Sequence, residues 1–344
     1  MREEHDVEFS QLTTLRVGGP AAKVVIAESN HDVKDFAHSV GTAEMLVLGG
    51  GSNLVVSDDG VDVPVVQLAT SGFDVVQQTD RVQLTVAAGV PWDDVVTRAV
   101  SEGWAGIEAL AGIPGFVGAT PIQNVGAYGQ EIADVCTAVS VLDRVSGKQR
   151  RLSASDCSFE YRTSVFKQDR GRFVVLDVEF ELGRTDASRP VQYDELAHVL
   201  GVSPGASAPV SAVRDAVLAL RRSKGMVLDA SDHDTWSAGS FFTNPILKPG
   251  EVVPPEAPHW NQPDGYNKLS AAWLIEHAGF VKGFGADIGR GAVRLSSKHT
   301  LALTNRGGAT TSELLTLARL VRDGVRDKFQ VELQPEPTFV GVQL

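Results

Sequence analysis

The sequence predicts an α+β protein built as two or three domains. Three observations carry that expectation. The chain has 344 residues, more than one ordinary core organises. Strand-like and short helical runs follow one another without the regular βαβ alternation of a parallel α/β fold. Two glycine-rich stretches also interrupt the pattern. One is Gly49-Gly50-Gly51-Ser52-Asn53; the other is Gly112-Ile113-Pro114-Gly115-Phe116-Val117-Gly118, continuing to Asn124-Val125-Gly126-Ala127-Tyr128-Gly129.

The elements follow in chain order. Lys23 to Ala27 reads as a strand, Asp32 to Ser39 as a short helix, and Glu44 to Leu48 as a strand running into the glycine triplet. Asn53 to Ser57 reads as another strand, ended by Asp58-Asp59-Gly60. A dinucleotide fingerprint needs a helix after its glycines, and no GKS or GKT is present, so the Rossmann and P-loop readings both fail. Val82 to Val86 alternates as a strand, and Trp92 to Glu102 reads as a helix between Pro91 and Gly103. Ala138 to Asp143 and Phe173 to Leu182 read as strands. Residues 185–208, rich in Pro, Ser and Gly, read as a connecting segment. Helices are expected from about Ser211 to Ser223 and from about Ser270 to Ala278. A third starts at Thr310-Thr311-Ser312-Glu313, a capping-box pattern, with Leu314, Ala318, Val321, Val325 and Phe329 as its core face.

Composition excludes several classes. A net charge of −12 argues against nonspecific nucleic-acid binding. No apolar run approaches a membrane span, and the charged start Met1-Arg2-Glu3-Glu4-His5-Asp6 does not resemble a signal peptide, so a cytoplasmic protein without membrane insertion is expected. Cys136 and Cys157 lack CxxC spacing and read as buried free thiols. The eight histidines show no metal-ligand spacing, so no metal site is expected. In so acidic a chain an anionic ligand must be caught by backbone dipoles or by local cations such as Arg162, Arg214, Arg221, Arg222, Lys224, Arg294 and Lys298.

Five short words carry the chemical signal. The Gly49–Asn53 loop lets a diphosphate approach main-chain N–H groups, with Ser52 and Asn53 adding donors. The Gly112–Gly129 stretch holds five glycines in eighteen residues, stiffened by Pro114 and Pro121. Glycine loses the most entropy on ordering, so such a run points to close backbone approach, here to a large phosphate-bearing cofactor. Tyr161-Arg162 sets an arginine among apolar and aromatic residues, where it can pin a carboxylate or simply form a surface ion pair. Ala238-Gly239-Ser240-Phe241-Phe242 lacks the second glycine of a nucleophile elbow, leaving a proton-donating serine or a buried turn serine. In Leu333-Gln334-Pro335-Glu336-Pro337, Glu336 is held in a stiff extended segment, as a functional acid or an exposed edge residue.

In this order and spacing the five words resemble the UDP-N-acetylenolpyruvoylglucosamine reductases, over nearly the whole chain from Thr14-Leu15-Arg16-Val17-Gly18-Gly19 to Gly341. The resemblance implies an FAD-binding fold of the vanillyl-alcohol-oxidase/p-cresol-methylhydroxylase type plus a separate α+β substrate-binding domain. It divides the chain into FAD-binding subdomains 1–70 and 71–184, a connecting segment 185–208 with a mobile tyrosine loop, and a substrate domain 209–329, with 330–344 packing back on the first. Non-covalent FAD would be held by Gly49, Gly50, Gly51, Ser52, Asn53, Gly112, Ile113, Pro114, Gly115, Gly118, Asn124, Gly126 and Ala127. Arg162, Ser240 and Glu336 would be catalytic, with Ser240 the proton donor. Tyr128, Tyr193, Arg221, Lys224, Asn244 and His299 would contact the UDP-sugar. One departure is local: the family often has Leu-Glu-x-Glu-Val where this chain has Leu333-Gln334-Pro335-Glu336-Pro337, and the spacing to Gly341 selects Glu336 over Glu332.

The implied function is that of an oxidoreductase of peptidoglycan synthesis, and thereby of cell wall biogenesis, cell shape and cell division. A flavoprotein of this kind would pass a hydride from NADPH, through FAD, to an enolpyruvyl ether. A monomer is expected. The alternatives are a sugar or hydroxy-acid oxidase on the same fold and a noncatalytic flavin-binding module.

Overall fold

The computed structural model describes residues 1–344 and divides them into two compact units. The first comprises Met1–Val7, Ala22–Gly50 and Asp62–Ser223; the second comprises Glu8–Ala21, Gly51–Val61 and Lys224–Leu344.

The first unit holds two sheets. In the smaller, Arg2–Glu8, Pro20–Ala27, Val65–Leu68 and Leu46–Leu48 lie in that order, with Val65–Leu68 parallel to both Pro20–Ala27 and Leu46–Leu48. The helix Asn30–Val40 crosses between two of these strands. Ser29 accepts from the Asp32 N–H while the Asp32 carboxylate accepts from Ser29, and Gly41 at φ 65° ends the helix. The charged strand Arg2–Glu8 gave no apolar alternation to read, because it is an exposed edge, where charges suit a strand with an unpaired side.

The larger sheet is antiparallel, in the order Lys148–Ser153, Cys136–Asp143, Phe173–Arg184, Arg81–Ala87, Phe73–Gln77. The central strand buries Val174, Leu176, Val178, Phe180 and Leu182 at alternate positions. Each such side chain contributes about 1.5–3 kcal/mol on burial. The helix Trp92–Ser101 packs Trp92 against Phe180, ring centroids 5.8 Å apart. Trp104–Ala105 adds a sixth short strand beside Gly183 and Arg184. From Gly106 to Asp134 the chain is nearly without regular structure: 3₁₀ turns at Glu108–Leu110, Val117–Ala119 and Ile132–Asp134, and a hairpin of Gly126–Ala127 with Gln130–Glu131. The stretch 185–208 is not wholly irregular, since Asp194–Leu200 forms a helix that buries Leu196 and Ala197 and stops at Gly201 in the left-handed region. Pro, Ser and Gly on both sides hid that one short amphipathic turn. It packs on the following helix, Val210–Ser223. Both cysteines are free and buried, their thiols pushed up to about 12 by burial.

The second unit is organised by the helix Thr311–Phe329, whose Leu314, Ala318, Val321 and Val325 are fully buried. The expected capping box is present, with Thr310 accepting from Glu313 N–H and Glu313 accepting from Thr310. The helix start is also tied to the chain after the glycine triplet: Asp58 accepts from the N–H groups of Thr311 (2.7 Å) and Ser312 (2.9 Å). The strand Leu54–Val56 pairs in parallel with the C-terminal strand Thr338–Val340. The helix Ala271–His277, the hairpin Val293–Leu295 with Leu303–Asn305, and a small sheet of Ile246–Leu247, Asn267–Leu269 and His259–Asn261 complete the unit.

Two carboxylates, one in each unit, make stability depend on pH. Burial acts to raise Asp143, but hydrogen bonds from Arg172 and Arg150 outweigh it and hold this nearly inaccessible group at about 2. Arg290 and the Thr310 N–H hold Glu313 at about 2. Both folded values lie below the ordinary ones, so the stabilisation is complete above about pH 4.5 and is lost as pH falls towards 2. Urea midpoints measured across that window should fall steeply. Asp143→Asn should lower stability at pH 7 by about 1–3 kcal/mol and flatten the acid limb.

Candidate active site

The glycine words of the first unit meet. The strand Leu46–Leu48 ends directly in Gly49-Gly50. A Cβ on Gly50 would stand 2.9 Å from the Gly115 Cα, and one on Gly118 would stand 2.6 Å from the Ala88 Cβ. No side chain fits at either place, so the glycines are needed for main chain to lie on main chain. The loop is tied to rigid structure: Trp92 N–H donates to Gly115 O, Val117 N–H to Val90 O, and Gly118 N–H to Ala88 O, each at 2.9 Å. The Gly112 N–H donates to Asp93 at 2.6 Å. The N–H groups of Gly50, Ile113, Gly115 and Phe116 enter no hydrogen bond within the protein. Main-chain donors on a glycine-rich loop are what a phosphate or diphosphate requires, so these residues fit a dinucleotide cofactor.

The structure separates roles within the expected cofactor set. Gly112 and Gly118 commit their N–H groups to the scaffold and contribute closeness rather than donors. Asn124 is fully buried at φ 45°; its carboxamide donates to Glu160 O (3.2 Å) and accepts from Ala133 N–H (2.9 Å), which makes it a clamp inside the loop. Pro114 lies between Ile113 and Gly115 and cannot donate. The carbonyl oxygens of Gly126 and Asn124 turn to Arg162, accepting from Nη2 at 2.6 Å and Nη1 at 3.4 Å. A Cβ on Gly126 would crowd Gln130 O and the Glu131 Cβ at 3.0 Å and the Arg162 guanidinium at 3.1 Å. Arg162 itself has φ 56°, and Lys167 Nζ holds its carbonyl at 3.0 Å.

Tyr128 stands at the hairpin tip, edge-on to Tyr193 with centroids 5.8 Å apart. Burial pushes the Tyr128 hydroxyl up to about 12, with Arg221 opposing. Burial also pushes the Arg221 guanidinium down to about 10, still charged at neutral pH, and Nη2 reaches Gly112 O at 3.3 Å. Arg221 therefore touches the second glycine loop, a contact that sequence could not supply. Tyr193 is 51% exposed at the start of its short helix.

In the second unit three distant words come together. Phe241 N–H donates to Leu301 O (2.7 Å), Glu336 N–H to Phe241 O (2.9 Å), and Thr243 N–H to Gln334 O (3.0 Å). This antiparallel register sets Glu336 opposite Phe241, the residue after Ser240, and Phe242 opposite Pro335. Asn53 joins them: its O accepts from Thr338 N–H at 2.9 Å and its Nδ2 donates to Glu336 O at 3.4 Å. Phe241 and Phe242, both buried, fix the position of Ser240. Gly51 packs against the Leu12 carbonyl, where a Cβ has no room, and Ser52 O accepts from Thr14 Oγ1 at 3.4 Å. Asn244 is partly committed, its Oδ1 accepting the first N–H of the Ala271–His277 helix at 2.9 Å. Partly buried Lys224 precedes the left-handed Gly225, and the His299 N–H is held by Ser296 Oγ at 3.3 Å.

Sequence reading missed Asp93, which anchors Gly112, and Asp234, which anchors the segment before His299. Asp234 accepts from Ser297 N–H (2.8 Å) and Oγ (2.6 Å) and from Arg306 (3.0 Å). An acid in the first turn of a predicted helix was a usable signal for Asp93; nothing in the sequence marks Asp234.

The class is that of an FAD-binding protein: residues 21–153, which include Gly49, Gly50 and the loop beginning at Gly112, match the FAD binding domain family. Residues 230–340 match the family described as UDP-N-acetylenolpyruvoylglucosamine reductase, C-terminal domain. A reductase of that name from Thermobifida fusca is 52% identical, with 98% of each chain covered, and one from Mycobacterium tuberculosis is 48% identical, with 98% of this chain and 95% of the relative covered. The crystal structure of the enzyme from Thermus caldophilus is 26% identical and superposes with a TM-score of 0.68 over 99% of both chains. The chain belongs to the UDP-N-acetylenolpyruvoylglucosamine reductase family.

The cradle makes a direct prediction. Gly50→Ala should open the contact with Gly115 and weaken FAD retention about tenfold, roughly 1.4 kcal/mol. Visible flavin absorbance per mole of purified protein measures this, with the urea midpoint as a control on folding.

Proposed function

We propose that this protein reduces the enolpyruvyl group of UDP-N-acetylglucosamine enolpyruvate to give UDP-N-acetylmuramate, with NADPH as hydride source, as a cytoplasmic monomer in peptidoglycan precursor synthesis. The observation that carries the reading is the hydrogen bond from Glu336 N–H to Phe241 O, which ties the Glu336 segment to the residue after Ser240, with Asn53 of the first glycine word bound to the same segment. Full-length likeness to reductases of this name supports it over an oxidase on the same fold, which would have no use for that pairing. No helix is long and apolar enough to cross a membrane. In this reading 1–184 and the C-terminal segment hold FAD, and 209–329 hold the sugar nucleotide.

FAD, when bound, supplies the redox-active ring that accepts a hydride from NADPH and passes it on. The net reaction adds that hydride to the terminal alkene carbon and a proton to the carbon bearing the carboxylate. Negative charge then builds on the substrate carboxylate. Arg162, fixed by two carbonyl oxygens, presents a permanent cation to that charge, which stabilises the transition state more than the ground state. Ser240 Oγ gives the proton to the adjacent carbon. A serine hydroxyl is a weak acid, so it suits only a strongly basic enolate-like carbon. Glu336, whose N–H donates to the carbonyl of Phe241, the residue after Ser240, serves as a hydrogen-bonding partner at the same end. Tyr128, Tyr193, Arg221, Lys224, Asn244 and His299 hold the nucleotide and its diphosphate.

Ser240→Ala should leave flavin reduction by NADPH near normal and slow reoxidation by the enolpyruvyl substrate by about 10²–10³. Stopped-flow absorbance resolves the two half-reactions, and a variant with both intact would end the proton-donor role. Arg162→Lys keeps a charge but loses the planar fork. It should slow the substrate half-reaction about tenfold or more.

A further inference from the structure

The fully buried Glu108 has no part in the chemistry above, and its hydrogen bonds come from uncharged donors. A lone buried carboxylate is costly unless its hydrogen bonds need it. Both of its oxygens accept: Oε2 from Gly106 N–H at 2.6 Å and Oε1 from Gln130 Nε2 at 2.8 Å. Gln130, 8% exposed, uses its own oxygen to accept from Ala109 N–H at 2.8 Å. The chain of bonds thus has a fixed polarity. It begins and ends on backbone donors, so it needs a double acceptor at one of its two side chains.

Gln130 is the first residue after the hairpin turn, paired with Ala127. The turn residues Tyr128 and Gly129 have φ 50° and 87°, the two left-handed positions of a tight hairpin turn. A tyrosine there is strained, so the conformation must be imposed from outside. Tyr193 packs on the Tyr128 ring from one side, and Glu108, Tyr128 and Gln130 border one cavity of about 20 Å³. The next strand residue, Glu131, pairs with Gly126, whose carbonyl holds the Arg162 guanidinium.

We propose that Glu108 is a positioning residue that, through Gln130, locks the hairpin placing both Tyr128 and Arg162. This rests on the reading of those two residues as substrate-facing groups. The polarity of the bond chain supplies a specific test. Glu108→Gln sets two donors against each other, and Gln130→Glu sets two carboxylates against each other. The double variant E108Q/Q130E restores every bond: the new amide at 108 accepts from Gly106 and donates to the new carboxylate at 130, which accepts from Ala109.

The experiment combines hydrogen exchange of the hairpin amides with stopped-flow half-reactions in wild type, both single variants, the double variant and Arg162→Lys. E108Q should exchange at least about tenfold faster at Gly126–Glu131 and reoxidise with the enolpyruvyl substrate about 10–10²-fold more slowly, with NADPH reduction within about twofold of wild type. The double variant should recover both properties to within about threefold. If the single variants fail to fold, a folded and active double variant supports the proposal and an unfolded one overturns it. Wild-type exchange and rate in E108Q, or a double variant no better than the singles, also overturns it. Arg162→Lys separates the two possible failures. If it slows the substrate step and E108Q does not, positioning alone falls; if neither slows it, the reading of the site falls as well.

Discussion

Direct main-chain contact between segments far apart in sequence is the constraint on which the first unit depends. Gly50 meets Gly115, and Gly118 meets Ala88, at distances that leave no room for a Cβ. Each glycine in such a loop costs roughly 0.5–1 kcal/mol in conformational entropy. The cost is offset by what the loop is fastened to: the turn Ala88–Val90, the helix start at Trp92, and behind them the buried face of Phe173–Arg184. A glycine-rich segment held at several points by hydrogen bonds to rigid elements is not a flexible one. Its remaining N–H groups are pre-set for a ligand, so little ordering cost is left for binding.

The second unit solves a different problem by the same means. The Ser240 and Glu336 segments are almost a hundred residues apart, yet the Phe241–Glu336 hydrogen bond ties them together. Phe241 and Phe242 are both buried in the core, which holds the segment around Ser240 in place. Hydrophobic burial thereby sets the position of polar groups that could not hold it themselves. Asn53 extends the arrangement to the glycine triplet, so the third member of the corner comes from the opposite end of the chain.

The legible part of the sequence was the part governed by local rules. Helix Thr311–Phe329 was announced by its capping box and apolar stripe, and Phe173–Arg184 by alternation. The glycine words disclosed that backbone would come close to something. Where each N–H would point was not legible: that Gly112 donates to Asp93 and Gly118 to Ala88 depends on tertiary placement that no spacing encodes. Edge strand Arg2–Glu8 and the short helix Asp194–Leu200 stayed hidden for a related reason. One lacks a buried face to pattern, and the other buries too few residues to show a period. Polar networks were the least legible, since Asp234 and Glu108 gain meaning only from donors distant in sequence or from backbone groups whose direction is set by the fold.

A chain with net charge −12 repels anions at long range, so binding a dinucleotide and a sugar nucleotide has to be arranged at short range. Arg162 and Arg221 show how. Carbonyl oxygens hold both, those of Gly126 and Asn124 for one and that of Gly112 for the other. A carbonyl carries a dipole but no net charge, so these bonds help to fix the direction of each guanidinium without themselves neutralising it. Burial lowers Arg221 only to about 10, which leaves it fully cationic at neutral pH and weakly screened by solvent. The glycine loops therefore do two things with one set of peptide groups. The N–H groups of Gly50, Ile113, Gly115 and Phe116, which enter no hydrogen bond within the protein, can donate to anionic oxygen, and the carbonyls of Gly112, Asn124 and Gly126 aim the cations that the overall charge of the protein would otherwise mask.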